Sequence, residues 1–309
     1  MRLAAAIFAL AVPAWAADVK SLEVRILSTM LTDSAGVGEW GFAALVTVDG
    51  RAMLFDTGAR PETVLKNARE LKVDLSGVND VILSHNHGDH TGGLVTLRRE
   101  YSKALGRAYA GRGIFTSRVQ ADGAEGNPML RTRREFEALG GKFVEAGGFA
   151  EIAPGVWLTG PVPRKYPERN WSVSGQLRDA DGKLSEDNLP EDMSMVVETA
   201  QGLVLISGCG HAGLINTLDY AREKFGNRPV HAAIGGFHLF AGSDAHLDWT
   251  AGKLKEFGLG HFLGAHCTGI EATYRIRDKA GLDRRRAVVG AVGAGFKLGE
   301  GIRPGTIAR

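Results

Sequence analysis

An apolar strand that stops abruptly at a cluster of metal-ligand side chains constrains this chain more than any other feature. Val81, Ile82 and Leu83, in VILSHNHGDHTGG, form a β-branched run of the kind buried in a sheet. His85, His87, Asp89 and His90 then fall within six residues. Imidazole nitrogen and carboxylate oxygen are the ligands that Zn²⁺ and its neighbours in the transition series accept. His85 and His87 are two apart, so on extended backbone they share a face and can grip one ion together. Beyond Gly88 the chain can turn and aim Asp89 and His90 at a second ion. For one histidine in a loop, a solvated polar turn is the better reading; for H-x-H-x-D-H directly after an apolar strand, a metal site is.

The other strand ends carry the same signature. Asp49-Gly50 is a two-residue hairpin signal between Phe42–Val48 and Arg51–Phe55, and that hairpin ends in Phe55-Asp56-Thr57-Gly58. Pro61 opens a helix with Val64, Leu65, Ala68 and Leu71 on one face. Leu22–Leu31, Asp80–Ser84, Gly111–Thr116, Lys142–Glu145 and Val156–Thr159 read as strands, and Thr91–Leu105 as a helix. The second half repeats this logic. A hairpin, Met193–Thr199 and Leu203–Ser207, ends in GCGHAG; a helix follows over Leu214–Phe225; strand Val230–Ile234 ends in GGFH; a helix spans His246–Phe257; strand His261–Leu263 ends in GAHCTG. Three apolar strands therefore stop at Gly-flanked histidines, His211, His238 and His266. Loops at strand ends are where α/β folds gather ligands.

Residues 1–16 read as a secretory signal peptide: Met1-Arg2, an apolar run from Leu3 to Val12, and Ala14-Trp15-Ala16 as cleavage site, with cleavage after about Ala16. The expectation is a periplasmic or secreted protein with one folded region over 17–309. No later stretch of about twenty apolar residues exists, so no membrane span is expected. The net charge of +2 gives no argument for a nucleic-acid partner. Export permits disulfides. Cys209 and Cys267 each stand beside a histidine, and the sequence leaves a bridge and an active-site placement equally open. Residues 161–190 are polar, Pro- and Gly-punctuated and poor in aliphatics, which suits a lid, a substrate loop or an insertion. The Arg284–Arg286 run and AVGAGFKLG beyond it read as surface charge and a closing hairpin.

Taken together, LFDTG, LSHNHGDHTGG, SGCGHAG, IGGFHL and GAHCTG resemble the metallo-β-lactamase superfamily. Within it they resemble the branch of archaeal dihydropterin ribofuranosylaminobenzene phosphate synthases and their bacterial hydrolase-like relatives, over Leu22–Gly269. The resemblance implies an α/β fold, a four-layer αβ/βα sandwich with a dinuclear centre at one edge of its two sheets. It implies that His85 and His87 bind one metal, that Asp89 and His90 bind another, and that His266 is the last histidine ligand. Asp56 would orient the histidine loop by hydrogen bonding. The superfamily histidine expected near Glu191–Met195 has no counterpart, and His211 is assigned its task. Cys209 replaces the usual bridging aspartate; either its thiolate ligates zinc or solvent alone forms the bridge. His238 would touch substrate or donate a proton. Arg164, in a GPVPR stretch similar to the family's GEIPR, would pair with an anionic small-molecule substrate.

The cofactors implied are two divalent ions, Zn²⁺ first, with Mn²⁺ or iron as alternatives. The implied activity is metal-dependent hydrolysis of an ester, lactone, amide or phosphodiester by a metal-held hydroxide, with Asp89 orienting the water. A pterin-pathway-type synthase and a non-catalytic sensor of the same fold are the alternatives.

Overall fold

Strand periodicity sets the layers. The computed structural model describes residues 19–171 and 175–308; the expected signal peptide lies outside them. β1 (Leu22–Ser28), β2 (Ala43–Val48) and β3 (Arg51–Phe55) form an antiparallel meander. Asp49 and Gly50, both at positive φ, turn the β2–β3 hairpin as a DG pair should. After α1 (Thr63–Glu70), β4 (Asp80–Leu83) runs parallel to β3. The one-turn α2 (Gly88–Thr91), α3 (Leu94–Glu100), β5 (Arg107–Gly111), β6 (Ser117–Val119), α4 (Met129–Ala138) and β7 (Lys142–Ala146) follow, with β5 and β7 extending the parallel ladder.

β8 (Ala150–Ala153) and β9 (Val156–Leu158) open a second sheet, while β10 (Gln176–Arg178) and β11 (Leu184–Glu186) join β6 in a small sheet of their own. β12 (Met195–Thr199) and β13 (Gly202–Ser207) are antiparallel. α5 (Leu214–Lys224), β14 (Val230–Gly235), α6 (Asp244–Glu256), β15 (His261–Gly264), α7 (Ile270–Ala280) and β16 (Ala287–Val289) then alternate, and β13–β16 are parallel. β17 (Gly295–Lys297) and β18 (Gly301–Arg303) form the expected closing hairpin and add to the first sheet beside β1. The sheet orders are β18-β17-β1-β2-β3-β4-β5-β7 and β16-β15-β14-β13-β12-β9-β8.

Alternate residues of each strand enter different cores. Val24, Ile26 and Val46 of the first sheet meet Val204, Ile206 and Ile234 of the second in a common core between the sheets. Leu27, Leu54 and Val81 face the other way, against Val64 and Ala68 of α1, Leu97 of α3 and Phe136 of α4. Leu205 and Ala233 do the same against Leu218 of α5, Leu254 of α6 and Ile276 of α7. The order is helix, sheet, sheet, helix: the four-layer sandwich. Each such buried aliphatic contributes about 1.5–3 kcal/mol.

Several local expectations shift. β1 ends at Ser28 and not Leu31. The strand expected at Gly111–Thr116 lies earlier, at β5, whose RAYAG lacks β-branched residues; the β-branched stretch that follows forms turns. α4 and α7 were not anticipated. α4 buries only Met129 and Phe136, and α7 leaves Ile270 and Tyr274 exposed, so neither shows a clear apolar stripe. The polar 161–190 stretch contains the β10–β11 hairpin.

Candidate metal centre

Parallel neighbours end on the same side, so the loops after β3 and β4, and those after β13, β14 and β15, gather at one edge of the sandwich. There the protons can be followed from bond to bond. Ser84 donates its Oγ–H to Asp56 Oδ2 at 2.8 Å, so its oxygen can only accept from His85 Nδ1, 2.9 Å away. His90 Nδ1 donates to the same Asp56 oxygen at 2.7 Å, and the Ser84 amide donates to the other at 2.8 Å. His211 Nδ1 faces the Asn170 carbonyl, which can only accept. This network assigns the tautomers and turns each Nε2 inward.

Burial holds His85 and His211 well below the ordinary imidazole pKa, with repulsion from neighbouring imidazoles adding to it, so both rings are neutral. Their Nε2 atoms, each presenting a lone pair, stand 3.2 Å apart. Two such lone pairs repel, whereas two nitrogens at about 2.05 Å from one tetrahedral Zn²⁺ lie about 3.3 Å from each other. The donor set fits a cation.

His87 stacks edge-on to both rings, with centroids 4.5 and 5.0 Å away, and burial lowers its pKa to about 4. A second set adjoins the first. Asp89 Oδ2 lies 3.3 Å from His266 Nε2 and 3.8 Å from His90 Nε2. Burial works against the Asp89 charge, but hydrogen bonding to His266 and the surrounding imidazoles hold its carboxyl well below the usual range. Burial opposes protonation of His266 as well, yet the Cys267 sulfur and the Asp89 carboxylate lift it to about 9.

Cys209 lies between the sets. Its sulfur is 3.1 Å from His90 Nε2 and shares ligand-range groupings with His85 and His211 on one side and with His90 and His266 on the other. The structure therefore brings His85, Asp89, His90, His211 and His266 together near Cys209, and His87 packs against His85 and His211 without entering these ligand-range groupings. Asp56, His238 and His266 all hold left-handed backbone, with φ of 55°, 48° and 45°. That conformation costs a non-glycine residue on the order of 1–3 kcal/mol and is tolerated where geometry is imposed by a site.

A cavity of about 360 Å³ borders the cluster, lined by Pro167, Arg169, Asn170, Trp171, His238 and His246. Clefts of about 420 and 440 Å³ elsewhere carry no residue of the histidine cluster. The His238 ring is 4.7 Å from His211, and its Nδ1 has no hydrogen-bond partner. On the other flank Trp40 and Phe240, 49% and 51% exposed, meet at 85°; Trp40 also packs edge-on to His266 and Phe240 to His238. The Arg164 fork is engaged by the main-chain carbonyls of His211, Asn188 and Leu189, and its plane lies over Trp171. Arg164 thus anchors the 161–190 stretch to the His211 loop, and an anion would have to compete with those carbonyls.

Sequence reasoning passed over Ser84, Asn170 and Asp192. Ser84 stood next to His85 in LSH, a readable signal. Asn170 acts through its carbonyl, which no residue type betrays. Asp192 accepts from the Ala212 amide at 3.0 Å beneath the His211 loop, and burial raises its pKa to about 7. Cys209 and Cys267 are free thiols, 3.1 Å apart.

Residues 41–209 match the family described as the metallo-beta-lactamase superfamily. The 7,8-dihydropterin-6-methyl-4-(beta-D-ribofuranosyl)-aminobenzene-5'-phosphate synthase of Methanocaldococcus jannaschii is 28% identical over 278 residues, 85% of this chain and 94% of that protein. The uncharacterized protein MJ0448 of the same organism is 29% identical over 241 residues, 76% and 86% of the two chains. The structure of Tm1679, a metal-dependent hydrolase of the beta-lactamase superfamily, aligns with a TM-score of 0.72 at 28% identity, over 91% of this chain and 99% of that one. Zn²⁺-bound PqqB from Methylobacterium extorquens shares the fold, with a TM-score of 0.53 at 17% identity over 89% of this chain and 99% of that one. With a family match over more than half its length, this chain belongs to the metallo-β-lactamase superfamily.

Proposed function

We propose that this protein is an exported metal-dependent hydrolase acting on an ester, lactone, amide or phosphodiester. One observation carries the reading: neutral imidazoles whose inward nitrogens converge at 3.2 Å, beside His90 and His266, which share Cys209 and stand within 3.8 Å of Asp89 Oδ2. Two divalent ions held by His85, His87 and His211, and by Asp89, His90 and His266, with Cys209 between them, would supply Lewis acidity and a water that ionises near neutral pH. Asp89, kept charged, would accept a hydrogen bond from that water and so orient it. His238, with Nδ1 unpartnered beside the cavity, carries a proton to the leaving group. Trp40 and Phe240 offer apolar faces at the mouth that exclude water and seat the non-reacting part of the substrate.

The test combines elemental analysis with a panel of esters, lactones and phosphodiesters. About two zinc ions per chain, with cleavage abolished by a chelator and restored by zinc, is the expected result. His87→Ala should lower metal content and turnover together, and retention of both would remove His87 from the centre. The similarity to the M. jannaschii synthase favours a second reading, joining of a pterin alcohol phosphate to an arylamine. A zinc-loaded protein that condenses such a pair and cleaves nothing on the panel would replace the hydrolase reading.

A further inference from the structure

We propose that Cys209 and Cys267 form a reversible oxidation site, a dithiol that closes to a disulfide and in closing withdraws Cys209 from the imidazoles around it. The cysteines follow β13 and β15, which are separated by β14, so their ladder positions are about 9–10 Å apart. They meet because β14 ends in Gly235-Gly236 between them. A Cβ on Gly236 would stand 3.0 Å from Cys267 Sγ and 1.9 Å from the Gly208 carbonyl oxygen. With no side chain in the way, both loops lean over that strand end and the sulfurs come to 3.1 Å. A disulfide requires about 2.05 Å, so the sulfurs have about 1 Å left to close. The same Cys209 sulfur lies 3.1 Å from His90 Nε2 and, with Cys267, within ligand range of a His238 ring nitrogen, so a cation held by these groups and the Cys209–Cys267 bond compete for it.

Both cysteines are nearly sealed, 2% and 1% exposed, which restricts the oxidant to a small molecule such as a peroxide. His238, which lines the neighbouring cavity, links it to the pair through its amide, which donates to Cys267 Sγ at 3.2 Å. One sulfur, as thiolate, attacks the peroxide; the O–O bond breaks, a sulfenic acid forms, and hydroxide leaves and takes up a proton. The second thiol attacks the sulfenic sulfur, the S–S bond forms, and the hydroxyl departs as water with that thiol's proton. Two electrons and two protons leave the sulfurs, and the peroxide is reduced to two waters. A small dithiol reverses the change by thiol–disulfide exchange.

The experiment uses the full-length protein, chelator-treated or zinc-loaded, exposed to hydrogen peroxide and then denatured for thiol titration and intact mass. The chelator-treated chain should lose both thiols with the mass of two hydrogens, while the zinc-loaded chain keeps them at the same dose. The oxidised protein should bind zinc about ten-fold or more weaker, the scale on which metal sites lose affinity when their immediate surroundings are altered, and dithiothreitol should restore it. Cys267→Ser, which leaves Cys209 in place, should bind zinc and form no disulfide. Two thiols surviving in the oxidised metal-free chain, separate higher oxides on each sulfur, or a disulfide that leaves zinc uptake undiminished would each overturn the proposal. A reduced protein that takes up no zinc would instead sink the hydrolase reading, with thiol count and mass deciding the disulfide on their own.

Discussion

The Asp56 carboxylate receives three donors, and each lies on the route to an inward-facing nitrogen. It fits because Gly208 opposite lacks a Cβ, which would stand 2.5 Å from Oδ2. Asp56→Ala should therefore weaken zinc binding about 10- to 100-fold without removing a ligand, measured by competition with a chromophoric chelator; unchanged affinity would strip Asp56 of its positioning role. Glu168 makes a different prediction. It accepts from the Ile215 and Asn216 amides at the start of α5, and burial outweighs those bonds to raise its pKa from 4.5 to about 7. Between those values the folded chain holds a proton that the unfolded chain has released, so this carboxyl makes stability fall as pH rises. Glu168→Gln abolishes that slope, up to about 1.4 kcal/mol per pH unit. Urea unfolding across pH 5–7 should show the variant improving relative to wild type towards the alkaline end, and parallel curves would refute the assignment.

At the scale of elements, the Gly92-Gly93 pair explains how the histidine loop is pressed against the β3 end. A Cβ on Gly92 would fall 1.9 Å from the Ala59 carbonyl oxygen, and one on Gly93 2.3 Å from that of Thr57. The contact is clamped by Thr57, whose amide and hydroxyl both donate to the His90 carbonyl at 2.7 and 2.9 Å. Gly92→Ala should cost about 1–3 kcal/mol and lower zinc affinity at once, read by thermal unfolding and metal titration; an unaffected variant would mean the loop packs loosely. These elements were readable because each motif is local: an apolar run, a glycine, then a histidine at β13, β14 and β15, and an apolar run leading through Ser84 straight to His85 at β4. What was not readable depends on partners distant in the chain. Ser84 acquires its part from Asp56, 28 positions earlier, and His211 is oriented by a carbonyl 41 positions away. α4 buries residues seven apart between arginines and glutamates, and β5 is built largely of alanine and glycine, so neither pattern carries enough apolar contrast to be seen.

Across the whole molecule the two sheets supply different candidate ligands, His85 to His90 from the first and Cys209, His211 and His266 from the second. Polar bonds also join the halves at this edge: Arg118 pairs with Asp187 and Glu191 in a buried group, the His266 amide donates to Thr29 Oγ1 at 2.9 Å, and the Met193 amide donates to the Ser84 carbonyl at 3.0 Å. Ions bound here would stabilise the folded state by about 4 kcal/mol at a thousand-fold excess over Kd. Chelation should lower the thermal midpoint accordingly, and zinc should restore it; a midpoint indifferent to metal would deny the centre any part in joining the sheets. One consequence concerns biosynthesis. Because the candidate donors run from His85 to His266, a cation would meet the full set only after both halves of the fold have left the ribosome, so loading would follow synthesis of the second half and a product terminated before His266 would stay uncharged.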